Sequence, residues 1–147
     1  MTESAASVVV PIIAVDSVDT AYDFYVDKLG FRRHLVVFGD DGWFDLAIVQ
    51  LGGARLMFTR SHHGIDAARP LETGGQVEIY VQVPDVDSYL GQLRARGVNC
   101  PAAPTMQAWG DRTFNVVDPY GRKLWFGSGI SGRPAGESPE ALRYASR

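Results

Sequence analysis

The sequence predicts an α+β fold built from two tandem βαβββ modules. Three observations carry this. Residues Asp111 to Phe126 read as two strands joined by a tight turn. Arg112 to Val117 alternate as a half-buried strand does, Asp118-Pro119-Tyr120-Gly121 is turn chemistry, and alternation resumes at Lys123. Gly53 to Phe58 is a weaker echo of that hairpin's second arm, 68 residues earlier. The order strand, helix, three strands can be read twice along the chain.

The elements follow in order. Residues 1–6 are small and polar and read as a mobile tail. Ser7 to Val15 is rich in Val and Ile and reads as a strand. Pro11 lacks an N–H, so that strand belongs at a sheet edge or beside a neighbour that leaves the nitrogen unpaired. Asp16 or Ser17 can cap the helix that follows. Val18, Ala21, Tyr22, Tyr25, Val26 and Leu29 form one apolar stripe, and Gly30 ends it. Phe31–Phe38, Trp43–Leu51 and Ala54–Thr59 are the next strands, the first two joined by the turn Gly39-Asp40-Asp41-Gly42. Ser61 to Gly75 has no period and is a linker.

Gln76 to Val83 alternates cleanly, with Val77, Ile79, Val81 and Val83 on one face and Glu78, Tyr80 and Gln82 on the other. Asp85 is the candidate cap of a second helix through Val86, Tyr89, Leu90, Leu93 and Arg94, ended by Gly97. A strand-like run near Ala103–Trp109 precedes the hairpin. Ser138 and Pro139 can open a short terminal helix. This divides one domain, residues 1–147, into module one (about 7–60), a linker (61–75), module two (about 76–127) and a tail (128–147).

A shift of 68 residues places Val15 on Val83, Asp19 on Asp87, Leu56 on Leu124 and Phe58 on Phe126. A shift of 67 places Gly30-Phe31 on Gly97-Val98, so the first helix carries one extra residue.

Composition narrows the function classes. Hydrophobic content is 46% and charged content 21%, ordinary for a globular domain. The net charge is −3 with no Lys/Arg-rich run, which argues against nucleic acid as a partner. No apolar run approaches the roughly 20 residues of a membrane span. Met1 to Ser7 lacks the basic region of a signal peptide. A single cysteine, Cys100, allows no internal disulfide and suits a reducing cytoplasm.

Val15 to Phe31 resembles the opening helix signature of the vicinal oxygen chelate superfamily, which includes glyoxalases, bleomycin resistance proteins and dioxygenases. Val83-Pro-Asp-Val-Asp87 with Leu93 to Val98 resembles its second-module helix. Trp109-Gly110, Arg112, Phe114 and Asp118 to Gly121 resemble its closing hairpin. The resemblance covers residues 7–127 and implies a curved mixed sheet enclosing a cavity.

In the metal-dependent members, each module offers two ligands of the His, Gln or Glu type. The corresponding positions here are Val10, Met57, Glu78 and Trp125. Only Glu78 suits a divalent metal that takes nitrogen or oxygen ligands. The resemblance therefore implies no metal site, no cofactor and no catalytic residue.

Strand parity places Val10, Ile12, Ala14, Arg55, Met57, Thr59, Glu78, Tyr80, Gln82, Lys123 and Trp125 on the inward face. Such a face has the character of a small-molecule pocket. Glu78 either pairs with Arg55 or Lys123 or anchors a polar or cationic ligand group. Trp43, Phe44 and Trp109 either stack on a planar ligand or serve as core or dimer contacts.

Among branches, the chain is most similar to the bleomycin resistance proteins, through Ser61-His62-His63-Gly64 and Trp109-Gly110-Asp111-Arg112. That implies a homodimer sequestering a planar, cationic small molecule without chemistry. The net charge of −3 departs from the strong acidity of those proteins, and Asp40, Asp41, Asp45 and Glu78 supply acidic groups near the expected cleft. The candidate ligand-binding set is Trp43, Phe44, Met57, His62, His63, Glu78, Tyr80, Trp109, Arg112 and Trp125. Two other readings stand beside it. One is an enzyme, either a lyase, isomerase or dioxygenase with shifted ligands or a metal-free catalyst using Glu78 as base. The other is a structural or regulatory dimer domain.

Overall fold

The computed structural model describes residues 7–60, 78–100 and 102–132. The elements are β1 (Ile12–Val15), α1 (Val18–Asp23) continuing as a π turn (Phe24–Lys28), β2 (Arg32–Phe38), β3 (Phe44–Leu51) and β4 (Ala54–Arg60). Then come β5 (Ile79–Gln82), α2 (Val86–Ala95), β6 (Thr105–Met106), β7 (Asp111–Val117), β8 (Lys123–Gly129) and a 3-10 turn (Ile130–Gly132). The expected order, βαβββ twice, is observed. The linker 61–75, the first residues of the expected fifth strand (Gln76, Val77), the tail 1–6 and the expected helix at Ser138 lie outside the described residues.

Two compact units form, residues 1–26 with 30–70 and residues 27–29 with 71–147. Each holds one four-stranded mixed sheet, ordered β1-β4-β3-β2 and β5-β8-β7-β6. In each the first strand runs parallel to the last, and the other pairs are antiparallel. β1 lies at an edge, one of the two placements that Pro11 allows. It begins at Ile12 rather than Ser7, because pairing starts where Pro11 offers its carbonyl to the Met57 N–H at 2.9 Å.

In unit 1, Ile13, Val15, Ala47, Val49, Leu56 and Phe58 are buried, together with Val18, Ala21 and Tyr25. The Tyr25 ring meets Phe31 at 5.5 Å and Phe58 at 4.8 Å. The Ser17 hydroxyl accepts from the Thr20 N–H and caps α1. The expected single helix to Leu29 is instead α-helical only to Asp23 and widens into the π turn. A π turn is an α-helix carrying one inserted residue. It absorbs the extra residue that the 67-residue slip of the repeat had exposed.

In unit 2, Val81, Phe114, Val116, Leu124 and Phe126 are buried, as are Val86, Tyr89, Leu90 and Leu93 of α2. Tyr89 lies 4.8 Å from Phe126 and 6.2 Å from Phe114 between ring centroids. Asp85 caps α2 through the Ser88 N–H at 3.1 Å, as the sequence predicts. Gly97 ends the helix with φ of +81°, which only glycine adopts without strain. The run expected at Ala103–Trp109 shrinks to Thr105–Met106. Gln107 to Gly110 form the hairpin turn into β7, closed by the Gln107 N–H on the Asp111 carbonyl at 2.7 Å. β8 continues to Gly129, past the expected module end at 127.

Candidate functional site

The face of unit 2's sheet opposite α2 carries the polar side chains. Period-2 alternation puts Tyr80 and Gln82 there from β5, Lys123 and Trp125 from β8, and Asp111, Thr113 and Asn115 from β7. Tyr80, Trp125 and Asn115 form one row across three strands, and Gln82, Gly127, Thr113 and Thr105 the next. A cleft of about 450 Å³ opens here, walled by Asn99, Ala102, Ala103, Thr105, Gln107, Thr113, Asn115, Val117 and Trp125, with Phe114 and Val116.

Trp125 is held at its edge and on its face. Its indole N–H donates to Glu78 Oε1, and the Lys123 ammonium lies 5.4 Å from the ring centroid. Of the two partners expected for Glu78, Lys123 therefore meets the tryptophan ring. Arg55 donates to Gln50 Oε1 at 3.2 Å. Glu78 is bound by an indole, a pairing that parity alone does not announce.

The second feature is Asp111, 0% exposed. Tyr80 donates its hydroxyl to Asp111 Oδ2, the Ser131 N–H donates to Oδ1 at 2.8 Å, and the Ser131 hydroxyl also meets Oδ2. Gln82 Nε2 donates to the Ser131 hydroxyl oxygen at 3.0 Å and to its carbonyl. Burial pushes the Asp111 carboxyl up, but bonds from Ser131, Tyr80 and Trp109 outweigh it and leave the pKa below the usual range. Burial, then the bond to Asp111, pushes the Tyr80 phenol up.

Gly127 makes this arrangement possible. A Cβ there would lie 2.4 Å from Tyr80 Oη. Sequence reasoning took Arg112 from this segment and passed over Asp111. The signal available was parity, since Asp111 shares the face of Thr113 and Asn115.

The other expected site residues are placed as follows. Arg112 is on the α2 side, with Nε 2.8 Å from Asp87 Oδ2. Trp109 sits in the turn, 41% exposed, its ring 6.4 Å from that of Tyr80. Met57 lies in unit 1 between Ile12 and Ile48. Phe44 meets Tyr22 at 5.2 Å and Phe38 at 5.1 Å edge-on. Trp43 is 63% exposed beside a depression of about 140 Å³ shared with Asp16, Ser17, Asp19 and Arg60. His62 and His63 lie outside the described residues.

Two acidic groups counted toward a cationic ligand are already paired. Arg60 donates to Asp41 at 2.7 and 2.9 Å and lies 3.5 Å from Asp45. The positions that the resemblance assigns to metal ligands carry Val10, Met57, Glu78 and Trp125. Three of these are unsuited to a hard or borderline divalent ion, and Glu78 accepts from Trp125. This donor set does not fit a metal. Among the described residues no three of His, Cys, Asp or Glu stand together as a metal-binding group. No described helix is long and apolar enough to cross a membrane.

An uncharacterised protein of Mycobacterium bovis is 30% identical over 124 residues, 82% of either chain. Among solved structures, TioX from Micromonospora sp. ML1 is similar with a TM-score of 0.67 and 26% identity, over 85% of this chain and 100% of that one. The bleomycin-binding protein of bleomycin-producing Streptomyces verticillus, complexed with copper(II)-bleomycin, is similar with a TM-score of 0.61 and 26% identity, over 87% and 100%. The model of one family matches residues 6–126, a span that takes in both four-stranded sheets except the last three residues of β8. On that match the chain belongs to the Glyoxalase/Bleomycin resistance protein/Dioxygenase superfamily.

Proposed function

We propose that this chain is a small-molecule binding protein that sequesters a ligand with a flat aromatic portion, without metal-dependent chemistry. The observation that carries the reading is Trp125, fixed by Glu78 and Lys123 in the wall of a cleft of about 450 Å³. Ligand pockets are commonly of this size, with a few placed polar groups around an aromatic surface. The 26% likeness to a bleomycin-binding protein supports the same class and makes bleomycin-type glycopeptides the first ligands to try.

The test is a tryptophan fluorescence titration, with Trp125→Phe as control because Trp43 and Trp109 also emit. Saturable quenching at micromolar glycopeptide, lost in Trp125→Phe, supports the reading. A response to another planar compound alone keeps capture and removes the antibiotic. Stoichiometric nickel, zinc, manganese or iron in the purified protein would sink it in favour of an enzyme.

The working form in this proposal is a homodimer. β2 leaves Leu35, Val37 and Phe38 in solvent, Phe38 at 64%, which is a large apolar exposure for one edge strand. Light scattering that gives a monomer mass removes this part.

A further inference from the structure

The cleft of unit 2 carries a chemical bias that names its ligand more closely. Resting on the capture reading above, we propose that the ligand portion seated there is an uncharged planar ring with a carboxamide-like edge. It is neither a cation nor an anion.

The register supplies the shape. Asn115 on β7 is directly opposite Trp125 on β8, on the same face. Side chains so opposed stand about 5 Å apart. A flat ring lying on the indole therefore brings its edge to the Asn115 carboxamide. Asn115 is exposed, and its side chain has no hydrogen-bond partner among the described residues. A primary amide offers two N–H donors beside one carbonyl acceptor, the complement of another amide, a lactam or an amide-like heterocycle. One row further along, Gln107 Nε2 donates to Thr113 Oγ1 at 2.8 Å and reaches Thr105 Oγ1 at 3.4 Å. These add uncharged hydroxyl and amide groups to the wall.

Charge decides the class. None of the described side chains walling the cleft is charged. The ionic groups at Trp125 are opposite in sign and both engaged with it, Lys123 at the ring and Glu78 at the N–H. A ring already holding a cation is a poor host for a second, because the attraction is shared and the like charges repel. An anion would shed water here with no cation of the wall to replace it. An uncharged amide sheds less and regains its hydrogen bonds from Asn115, Thr105 and Gln107.

The test uses the full chain and three probes built on one ring system: naphthamide, naphthylmethylammonium and naphthoate, attached at the same carbon. Each is titrated by calorimetry at low and high salt. Naphthamide should bind at least about tenfold more tightly than either ion and respond little to salt. Asn115→Leu keeps the branched shape and removes the hydrogen bonds, and should weaken naphthamide about tenfold with the thermal melt unchanged. Thr105→Val should move affinity the same way from a second strand.

The proposal is overturned if naphthylmethylammonium binds most tightly with a steep salt dependence, if none of the three binds, or if both variants bind naphthamide like the parent. The glycopeptide titration separates the two readings. Quenching at Trp125 together with failure of naphthamide retains capture and removes only the ligand class.

Discussion

Adding one methyl group at Gly127 tests the architecture of the polar face directly. An alanine Cβ at 127 would stand 2.4 Å from Tyr80 Oη, 2.9 Å from its Cζ and 3.2 Å from Thr113 Cγ2. The first two distances are shorter than real contacts, so the phenol must move. It can, being 38% exposed. Moving breaks the bond to Asp111, whose carboxylate stays buried. A hydrogen bond to a charged group contributes roughly 1.5–3 kcal/mol. Alanine recovers roughly 0.5–1 kcal/mol over glycine in a strand interior. The net expectation for Gly127→Ala is a loss of about 1–2 kcal/mol. It is read from the urea midpoint at unchanged slope, or as a melting drop of about 2–8 °C. In a Tyr80→Ala background the phenol is gone, and the same methyl should be neutral or stabilising. An equal loss in both backgrounds would refute the argument, because the cost would then not pass through Tyr80.

Three further outcomes are expected. The hydrogen bond from Arg60 chiefly holds the Asp41 carboxyl at about 2 against its ordinary 3.8. A depressed folded value means the contribution to stability is complete above the ordinary value and fades as pH falls towards about 2. Asp41→Asn should therefore flatten part of the acid limb of melting temperature against pH, and an unchanged limb contradicts the pairing. Arg112→Ala breaks a half-exposed, solvent-screened ion pair with Asp87 and should shift the urea midpoint only slightly. It should leave ligand affinity unaltered, since Arg112 is on the helix side; a large affinity loss would return it to the site. Phe126→Ala empties a position packed against the stacked ring of Phe114 and the tilted ring of Tyr89, and should cost about 3–5 kcal/mol, seen as a lower urea midpoint.

The frame was legible because its signals are local and repeated. Alternation in Arg112–Val117, the stripes from Val18 and Val86, and the cap at Asp85 each state their own geometry. The shift of 68 then makes each module a check on the other. Boundaries were less legible where one backbone atom decides them, as at Pro11 and in the turn after Met106. The first helix is instructive: its extra residue was visible as a slip, but not that the helix would take it as a π turn.

The polar face was half legible. Parity put Tyr80 and Trp125 on one side and, had it been carried along β7, would have added Asp111, but parity carries no distance. The engagement of Glu78 by an indole and the burial of Asp111 under Tyr80 depend on how far side chains reach across three strands. Motif likeness drew the eye to Arg112, which period 2 turns to the other face.

Ser131 has a consequence for where this domain can be cut. The family match ends at residue 126, which invites a boundary there. Yet Asp111 takes two of its bonds from Ser131, and Gln82 is tied to the same residue. A chain shortened to the end of the family match would leave a buried carboxylate short of donors at the start of β7. A form of the chain that keeps these bonds extends through the 3-10 turn, a few residues beyond where the family match stops.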